Sequence, residues 1–297
     1  MVDFSEVADG IYQIETARAI GISRCSTVYF IAGEQPILVE SGPFVAIPFV
    51  IDAIQQLGYN PSQLSYIILT HIHLDHAGGA GTLTQQFPNV QVLVHPEGVR
   101  HLIEPSRLIA GTRQAYGKRF EDDYGPILPV PERQVRAAAD GEVVRLGDKK
   151  LKIIYTPSHA THHMCIYDES KSQGLFSGDS LSHSLSSITT PTNGFDLDTT
   201  LESLDRLSQL EAKIIFAPRG AVNCDVTGLV RSIQDNLKAY NEIILEAVRA
   251  GETKEEIGKK LEAYQMEHAP EQYRPGEHNF NNVISRYLAY FRKRGDL

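Results

Sequence analysis

Short apolar runs separated by Gly, Pro and Asp turns dominate the first two-thirds of the chain. Runs of roughly four to eight apolar residues between turn residues are typical of β-strands. Longer segments with apolar residues three or four positions apart predict helices instead. The predicted strands are 26–32, 36–40, 66–70, 90–95, 142–145, 151–156, 164–168, 174–177 and 213–217, and the predicted helices of this region are 45–57, 79–87 and 199–210.

The last quarter of the chain has a different pattern and predicts helices at 226–250, 254–264 and 280–294. Strands mixed with helices, joined by many short connections, favour an α+β fold with two sheets packed face to face and helices outside. We therefore predict a core domain over 1–225 and a helical region over 226–297 packed on that core.

Residues 99–135 stand apart within the predicted core, because they combine several aromatic residues with prolines. We interpret them as a partly helical insertion. Two roles stay open for it. Such a segment often forms a lid or a pocket wall, but it also fits a surface insertion with no part in catalysis.

Composition and charge exclude several classes of protein. With 42% hydrophobic and 22% charged residues among 297, the chain has the composition of a globular protein. Its net charge of -9 disfavours a general nucleic-acid binder. The amino terminus lacks a signal-peptide pattern, and no apolar stretch approaches the roughly 20 residues that span a bilayer. The three cysteines are far apart and predict neither disulfides nor a thiolate zinc site. We expect a cytoplasmic protein without a membrane or nucleic-acid partner.

The strongest chemical signal is the segment Thr-His-Ile-His-Leu-Asp-His-Ala-Gly at 70–78, directly after a predicted strand. Its potential metal ligands are His71, His73, Asp75 and His76. Imidazole and carboxylate groups are ligands that zinc, iron and manganese accept in catalytic sites. Side chains two positions apart on an extended chain project to the same side, so His71 and His73 can bind one metal. Asp75 and His76 follow where the chain bends and can face a second metal.

This HxHxDH segment, followed by Ala-Gly-Gly, resembles the signature of the metallo-β-lactamase superfamily, whose fold is a four-layer αββα sandwich and whose members are mostly zinc-dependent hydrolases. Three other segments match in the same order. Residues 36–42 resemble the early strand that ends in a carboxylate and glycine beneath the site. Thr-Pro-Ser-His at 156–159 resembles the family's TPGH, and Phe-Ser-Gly-Asp at 176–179 resembles its FTGD. The resemblance covers residues of about 8–225.

The resemblance implies a two-metal site. Three histidines would hold the first metal, an aspartate and a histidine the second, and one aspartate would bridge the two. In that order these are His71, His73 and His159, then Asp75 and His76, then Asp179. The implied cofactor is zinc, one or two ions per chain, with iron or manganese as alternatives.

Two further residues are candidates near this site. Glu40 stands where aspartate is commoner in the family, and its carboxylate is suited to orienting a ligand histidine through a hydrogen bond. His163 follows His159 by four positions, as a pocket histidine does in some relatives. His163 is a candidate either for contact with substrate in the pocket or for supporting the ligands from behind. We interpret its neighbour His162 as a solvent-facing strand residue.

The chain departs from the family pattern after its last predicted core strand, where relatives carry a final histidine ligand. Here the position falls on Pro218, Arg219 or Gly220, none of which is a plausible ligand. We expect the second metal to bind more weakly, or a single metal to suffice. A third alternative is that His183, His268 or His278 replaces the missing histidine.

Two residues are candidates for contact with substrate beside that position. Arg219 would place a cation where a substrate carboxylate or phosphate group binds. A salt bridge on the rim of the site is the other interpretation. His183 lies four residues after Asp179, which favours either a place in the pocket or a place on the surface.

The predicted activity is hydrolysis of a carbonyl ester, lactone or thioester in a small-molecule substrate. A metal with three protein ligands and an open position generates hydroxide near neutral pH, which attacks the carbonyl carbon. Asp75 is the predicted catalytic residue, because it can orient this nucleophile or accept its proton. The alternatives are a mononuclear-iron persulfide-type oxidoreductase, a nuclease or phosphodiesterase, and a catalytically impaired binding protein of the same fold.

An aromatic stripe in the last predicted helix bears on oligomerisation. It consists of Tyr287, Tyr290 and Phe291 at helical spacing. Such a stripe is more often part of a core or a dimer contact than of a substrate site. The sequence therefore leaves a homodimer open.

Overall fold

A mixed seven-stranded sheet holds most of the first half of the chain. The computed structural model describes residues 2–21, 25–181, 195–223, 225–268 and 280–297. Strands of the first sheet lie side by side in sequence order, antiparallel from the first to the fourth and parallel from the fourth to the seventh. They are β1 (Phe4–Ala8), β2 (Ile11–Ile14), β3 (Val28–Ile31), β4 (Ile37–Val39), β5 (Tyr66–Ile68), β6 (Gln91–Val94) and β7 (Val135–Ala137).

A second sheet has six strands in the order β13-β12-β11-β10-β9-β8. Only β11 and β12 are parallel among its neighbouring pairs in the described part of the chain. The strands are β8 (Val143–Leu146), β9 (Lys149–Tyr155), β10 (Met164–Asp168), β11 (Gly174–Phe176), β12 (Ile214–Ala217) and β13 (Gly220–Asn223).

The two sheets pack face to face through one apolar core. Strand β3 shows how the chain builds it, because successive side chains of a strand point to opposite faces. Tyr29 and Ile31 join the core between the sheets, whereas Val28 and Phe30 join the core under the helices. The Tyr29 hydroxyl donates a 2.7 Å hydrogen bond to the carbonyl oxygen of Ala217 in the other sheet.

Helices cover the outer face of the first sheet. Apolar side chains of the helices at Ile47–Gln56, Ala80–Gln86 and Pro96–Ile103 belong to the same core cluster as Val28 and Phe30. Residues within the predicted insertion are largely helical. The helices of this region are α1 (Thr16–Ile20), α2 (Ile47–Gln56), α3 (Leu74–Ala77), α4 (Ala80–Gln86), α5 (Pro96–Ile103), α6 (Ser106–Tyr116) and α7 (Arg119–Tyr124).

Four longer helices lie in the remaining described segments: α8 (Leu197–Ser208), α9 (Val226–Arg249), α10 (Lys254–His268) and α11 (Phe280–Arg294). The aromatic stripe of α11 is buried, with Tyr287, Tyr290 and Phe291 each at most 1% exposed. The Tyr287 hydroxyl donates to the carbonyl oxygen of Leu237 at 2.8 Å. The stripe is therefore part of the hydrophobic core, which is one of the two roles, core or dimer contact, that the sequence favoured. None of the described helices is both long enough and apolar enough to cross a membrane.

The fold separates into two compact units whose segments alternate along the chain. The first holds both sheets and α1–α7, and the second holds α8–α11. The boundary predicted at residue 225, between a core domain and a helical region, remains a prediction. The first unit comprises Met1–Tyr155, His162–Gly178 and Ala212–Asn223, and the second comprises Thr156–Thr161, Asp179–Glu211 and Cys224–Leu297.

Close packing between β11 and β12 gives a stability prediction at Gly174. A Cβ atom there would lie 2.1 Å from Cε2 of the buried Phe216 ring. We expect Gly174→Ala to lower the free energy of unfolding by about 1–3 kcal/mol, because overpacking a tight core forces side chains to shift. Gly111→Ala is the control, since nothing lies within 4 Å of its Cβ position in α6, and alanine favours a helix over glycine. Urea unfolding curves that place both variants at the same midpoint would contradict the packing argument.

Candidate metal centre

The histidine cluster lies at the edge of the first sheet where parallel strands end. Strands β4, β5 and β6 run parallel, so the residues that follow them meet at one edge. Glu40 follows β4, the segment from Thr70 to His73 follows β5, and His95 follows β6. In sheets of this kind, ligands bind at the carboxyl ends of the strands.

His71 and His73 point their ring nitrogens at each other. Nε2 of His71 lies 3.0 Å from Nδ1 of His73, and the ring planes are 82° apart. Two nitrogens bound tetrahedrally to one zinc ion at its usual bond length are about 3.3 Å apart. The observed spacing therefore fits two ligands of a single ion.

The orientation of His71 is set by a hydrogen bond at its other nitrogen. Its Nδ1 lies 3.0 Å from Oγ1 of Thr70. Histidines that bind metals through one nitrogen donate the other N–H to an oxygen. A proton on Nδ1 leaves the lone pair of Nε2 directed at His73. The Thr70 hydroxyl in turn donates to Oε1 of Glu40.

Glu40 is a buried carboxylate that contacts both Thr70 and His76. It is only 4% exposed. Its Oε1 lies 3.1 Å from Nδ1 of His76, and its Oε2 accepts from the Thr70 backbone N–H at 3.3 Å. Its backbone φ of 67° is in the left-handed region, which is unusual outside glycine. A strained residue held in place by several hydrogen bonds is a common feature of functional sites.

Asp75 and His76 lie on the short helix α3. Nε2 of His76 is 3.5 Å from Oδ2 of Asp75. The His76 side chain is 1% exposed, whereas 25% of the Asp75 side chain is exposed. The backbone of α3 is held by Ser41, whose N–H and hydroxyl both donate to the His76 carbonyl oxygen at 2.9 Å. Asp75 is thus a partly exposed carboxylate on a helix whose backbone is held by hydrogen bonds.

Helix α7, from the predicted insertion, packs against this ligand-bearing turn. Phe120 and Tyr124 form an apolar cluster with Leu74, the residue before Asp75. Burial raises the pKa of Tyr124, and a hydrogen bond with Tyr116 and the negative charge of Asp75 raise it further. The contact places a helix of the predicted insertion beside the turn that carries Asp75, and both roles of the insertion stay predictions.

The structure corrects the interpretation of His162. Its ring lies 6.3 Å from that of His71 and 6.1 Å from that of His73, and its Nδ1 is buried, so the side chain is only partly exposed and lies beside the cluster. Burial lowers its pKa to about 4, and the charges of His73 and His95 add to that shift. Strand alternation does not apply to His162 because it lies in a turn before β10 begins at Met164.

His163 is fully buried behind His71, with ring centroids 5.1 Å apart. A Cβ atom at Gly178 would lie 2.5 Å from Nε2 of His163. The glycine of the Phe-Ser-Gly-Asp segment therefore leaves the room that this histidine occupies.

His159 and Asp179 form a second pair, within the second unit. Nε2 of His159 lies 3.2 Å from Oδ2 of Asp179, and the side chains are 13% and 29% exposed. The residues beside them are also close, because the hydroxyls of Ser158 and Ser180 are 3.2 Å apart. An imidazole facing a carboxylate is again a combination that binds divalent metals.

Arg219 and one of the three histidines considered as replacement ligands lie among the described residues. The Arg219 side chain is exposed, and its Nη1 donates to the Cys25 carbonyl oxygen at 2.8 Å. This backbone contact anchors the side chain, and both interpretations of Arg219, a substrate contact and a salt bridge, stay predictions. His268 is exposed at the end of α10, with Nδ1 2.9 Å from the carbonyl oxygen of Tyr264. His183 and His278 lie outside the described residues.

Comparison with known proteins identifies the family. The model of the metallo-beta-lactamase superfamily matches residues 23–219. A metallo-beta-lactamase fold-containing protein of Sulfurisphaera tokodaii is 28% identical over 72% of this chain and 80% of its own length. An N-acyl homoserine lactonase of Bacillus thuringiensis is 29% identical over 56% of this chain and 60% of its own. An atrochrysone carboxyl ACP thioesterase of Claviceps purpurea is 25% identical over 62% of this chain and 47% of its own. The chain thus matches less than two thirds of the lactonase and of the thioesterase.

Solved structures agree on the fold. A metallo-beta-lactamase family protein of Thermus thermophilus superposes with a TM-score of 0.62 at 24% identity, over 91% of this chain and 89% of that one. The archaeal protein from Sulfolobus tokodaii superposes with a TM-score of 0.60 at 24% identity, over 92% and 93%. The predicted α+β sandwich with added carboxy-terminal helices is confirmed. The family model matches two thirds of the chain and includes its histidine and aspartate groups. This chain belongs to the metallo-beta-lactamase superfamily.

Proposed function

We propose that this protein is a metal-dependent hydrolase that cleaves a carbonyl ester, lactone or thioester bond. The observation that carries the proposal is the His71–His73 nitrogen pair, 3.0 Å apart, with an oxygen partner fixed behind His71. The relatives support the type of bond, because they include a lactonase and a thioesterase.

The proposed first metal is zinc, and four residues that each offer a ligand atom are assigned to it: His71, His73, His159 and Asp179. A second ion would bind Asp75 and His76, with Asp179 as the bridge. We expect this second ion to bind more weakly, since Pro218–Gly220 supplies no ligand. Iron or manganese in place of zinc is the alternative that the donor set also accepts.

The protein groups around this site suit carbonyl hydrolysis. A bound divalent metal supplies Lewis-acid polarisation of the carbonyl and lowers the pKa of water. The exposed part of Asp75 is placed to accept a proton from the attacking water. Glu40 and Thr70 would hold the ligand histidines in one tautomer. Phe120 and Tyr124, which pack against Leu74, would shield one side of the neighbouring Asp75 from water. Arg219 is a candidate for binding an anionic substrate group.

Metal analysis followed by a substrate screen tests this proposal. Protein purified under metal-replete conditions is expected to hold one or more zinc ions per chain, and to hydrolyse at least one member of a lactone and thioester panel. Removing the metal with a chelator should abolish that activity, and zinc should restore it. Phosphodiesters serve as the comparison panel.

Three outcomes would contradict the proposal in different ways. Less than one metal per chain would overturn the site itself. Cleavage of phosphodiesters alone would favour a nuclease or phosphodiesterase. Iron content with oxygen uptake in the presence of a persulfide, and no hydrolysis, would favour the oxidoreductase.

A further inference from the structure

A surface cavity of about 350 Å³ lies where α5 ends and α6 begins. Four of its five lining residues carry charged or titratable side chains, and the fifth carries a hydroxyl. They are Arg100, His101, Glu104, Ser106 and Arg107. We call this the α5–α6 cavity. Its volume is well above that of a single ion, so it can admit part of an organic molecule.

The two arginines of the α5–α6 cavity have no ion-pair partner within the ranges that the structure describes. Arg113, further along α6, differs from them because it pairs with Glu121 at 2.7 Å. The guanidinium groups of Arg100 and Arg107 both lie near His101. Burial lowers the pKa of His101, and the two arginine charges lower it further.

Glu104 lines the same cavity but forms no ion pair with either arginine among the described residues. Its Oε1 accepts a 3.0 Å hydrogen bond from the backbone N–H of Ser106. That bond lowers the pKa of Glu104 and keeps its carboxylate at the start of α6. Two cations thus face one cavity beside a titratable imidazole and a hydroxyl, in a chain whose net charge is -9. Two neighbouring cations repel each other, and an anion bound between them would relieve that repulsion.

We propose that the α5–α6 cavity binds the phosphate group of a small molecule. Arginine guanidinium groups donate two parallel N–H bonds to phosphate oxygens, which makes arginine the preferred residue for this group. Arg100 and Arg107 would each bind the phosphate through such bonds, and the Ser106 hydroxyl would add another donor. A phosphate dianion would also favour protonation of His101, because it reverses the effect of the two cations.

Histidine NMR with inorganic phosphate as the probe tests the cavity directly. We expect phosphate to shift the His101 Cε1–H signal saturably and to raise the pKa of His101. The double variant Arg100→Gln, Arg107→Gln should bind phosphate at least about tenfold more weakly. Arg113→Gln, the matched control on α6, should bind it as the parent does. Arg100 and Arg107 are both exposed, so the thermal unfolding of the double variant should be unchanged.

The result is independent of the metal centre. His71→Ala should keep the phosphate response of His101, even though hydrolysis is lost. The proposal is overturned if phosphate leaves the His101 signal unchanged, or if the double variant binds phosphate as tightly as the parent protein.

The phosphate has two sources, a free phosphate compound or the substrate itself. The second source rests on the proposed function. Coenzyme A thioesters can be compared with the same acyl group on N-acetylcysteamine, a thiol that lacks phosphate. A rise in KM of the double variant for the coenzyme A thioester alone would assign the phosphate to the substrate. An equal KM for parent and variant, with phosphate binding lost in the variant, would assign it to a free compound.

Discussion

His71→Ala is expected to abolish hydrolysis, with kcat/KM falling by about a thousandfold or more. The substitution removes Nε2, the nitrogen that faces Nδ1 of His73 at 3.0 Å. Loss of metal-assisted charge stabilisation costs several kcal/mol, and each 1.36 kcal/mol is about tenfold in rate. The metal content of the variant should fall in parallel, measured by elemental analysis after dialysis.

His268→Ala is the matched control for that variant. His268 is a described histidine that the sequence left open as a replacement ligand, and it lies exposed against the carbonyl oxygen of Tyr264. We expect unchanged metal content and unchanged kcat/KM. Full activity in His71→Ala with a normal circular dichroism spectrum would contradict the assigned site. Loss of metal in His268→Ala would mean that a distant histidine completes it.

The sequence predicted the ligand-bearing segments because each follows a strand with a strong apolar pattern. The predicted strands 36–40 and 66–70 correspond to β4 and β5, which end directly before Glu40 and the histidine cluster. Parallel strands bring their carboxyl ends together whatever their distance in sequence. The motif and the fold together were therefore enough to predict that these two segments meet at one edge of the sheet.

Strands that depend on partners were missed. The hairpin of β1 and β2 has few consecutive apolar residues, and its stability comes from pairing with β3. Strand β13 begins at Gly220 and contains little that favours a strand. It forms because the chain turns at Pro218 and Arg219 and pairs back on β12. Local propensity is a weak predictor where tertiary pairing decides.

The contact between the insertion and the turn that carries Asp75 also lay beyond prediction. The sequence marked Tyr116, Phe120 and Tyr124 as aromatic residues of an insertion, but periodicity does not say which distant residue a helix face meets. Packing of Phe120 and Tyr124 on Leu74 joins segments separated by more than forty residues. The same holds for His162, whose place beside His71 depends on a turn.

The second large effect is expected at Glu40. Glu40→Gln should weaken metal binding by about 10–100-fold, the usual cost of losing a group that orients a metal ligand. The carboxylate accepts from the Thr70 hydroxyl and backbone N–H, and it faces Nδ1 of His76. Glutamine has one oxygen and an N–H₂ group, so at least one of these donors would face another donor. His71 or His76 would then lose the partner that fixes its tautomer.

Chelator competition measures the metal affinity of this variant, and ¹⁵N NMR of the histidine rings reports the tautomers. Glu34→Gln, at an exposed turn, is the control for removing one negative charge. Glu40→Asp should retain more affinity than Glu40→Gln, because it keeps the acceptor and only shortens the reach. Equal metal affinity in Glu40→Gln and in the parent would show that the buried carboxylate does not orient the ligands. Weaker metal binding together with altered tautomers would establish that His71 and His76 both depend on the Glu40 carboxylate as a shared hydrogen-bond acceptor. The distances between residues of the histidine motif do not by themselves reveal this dependence.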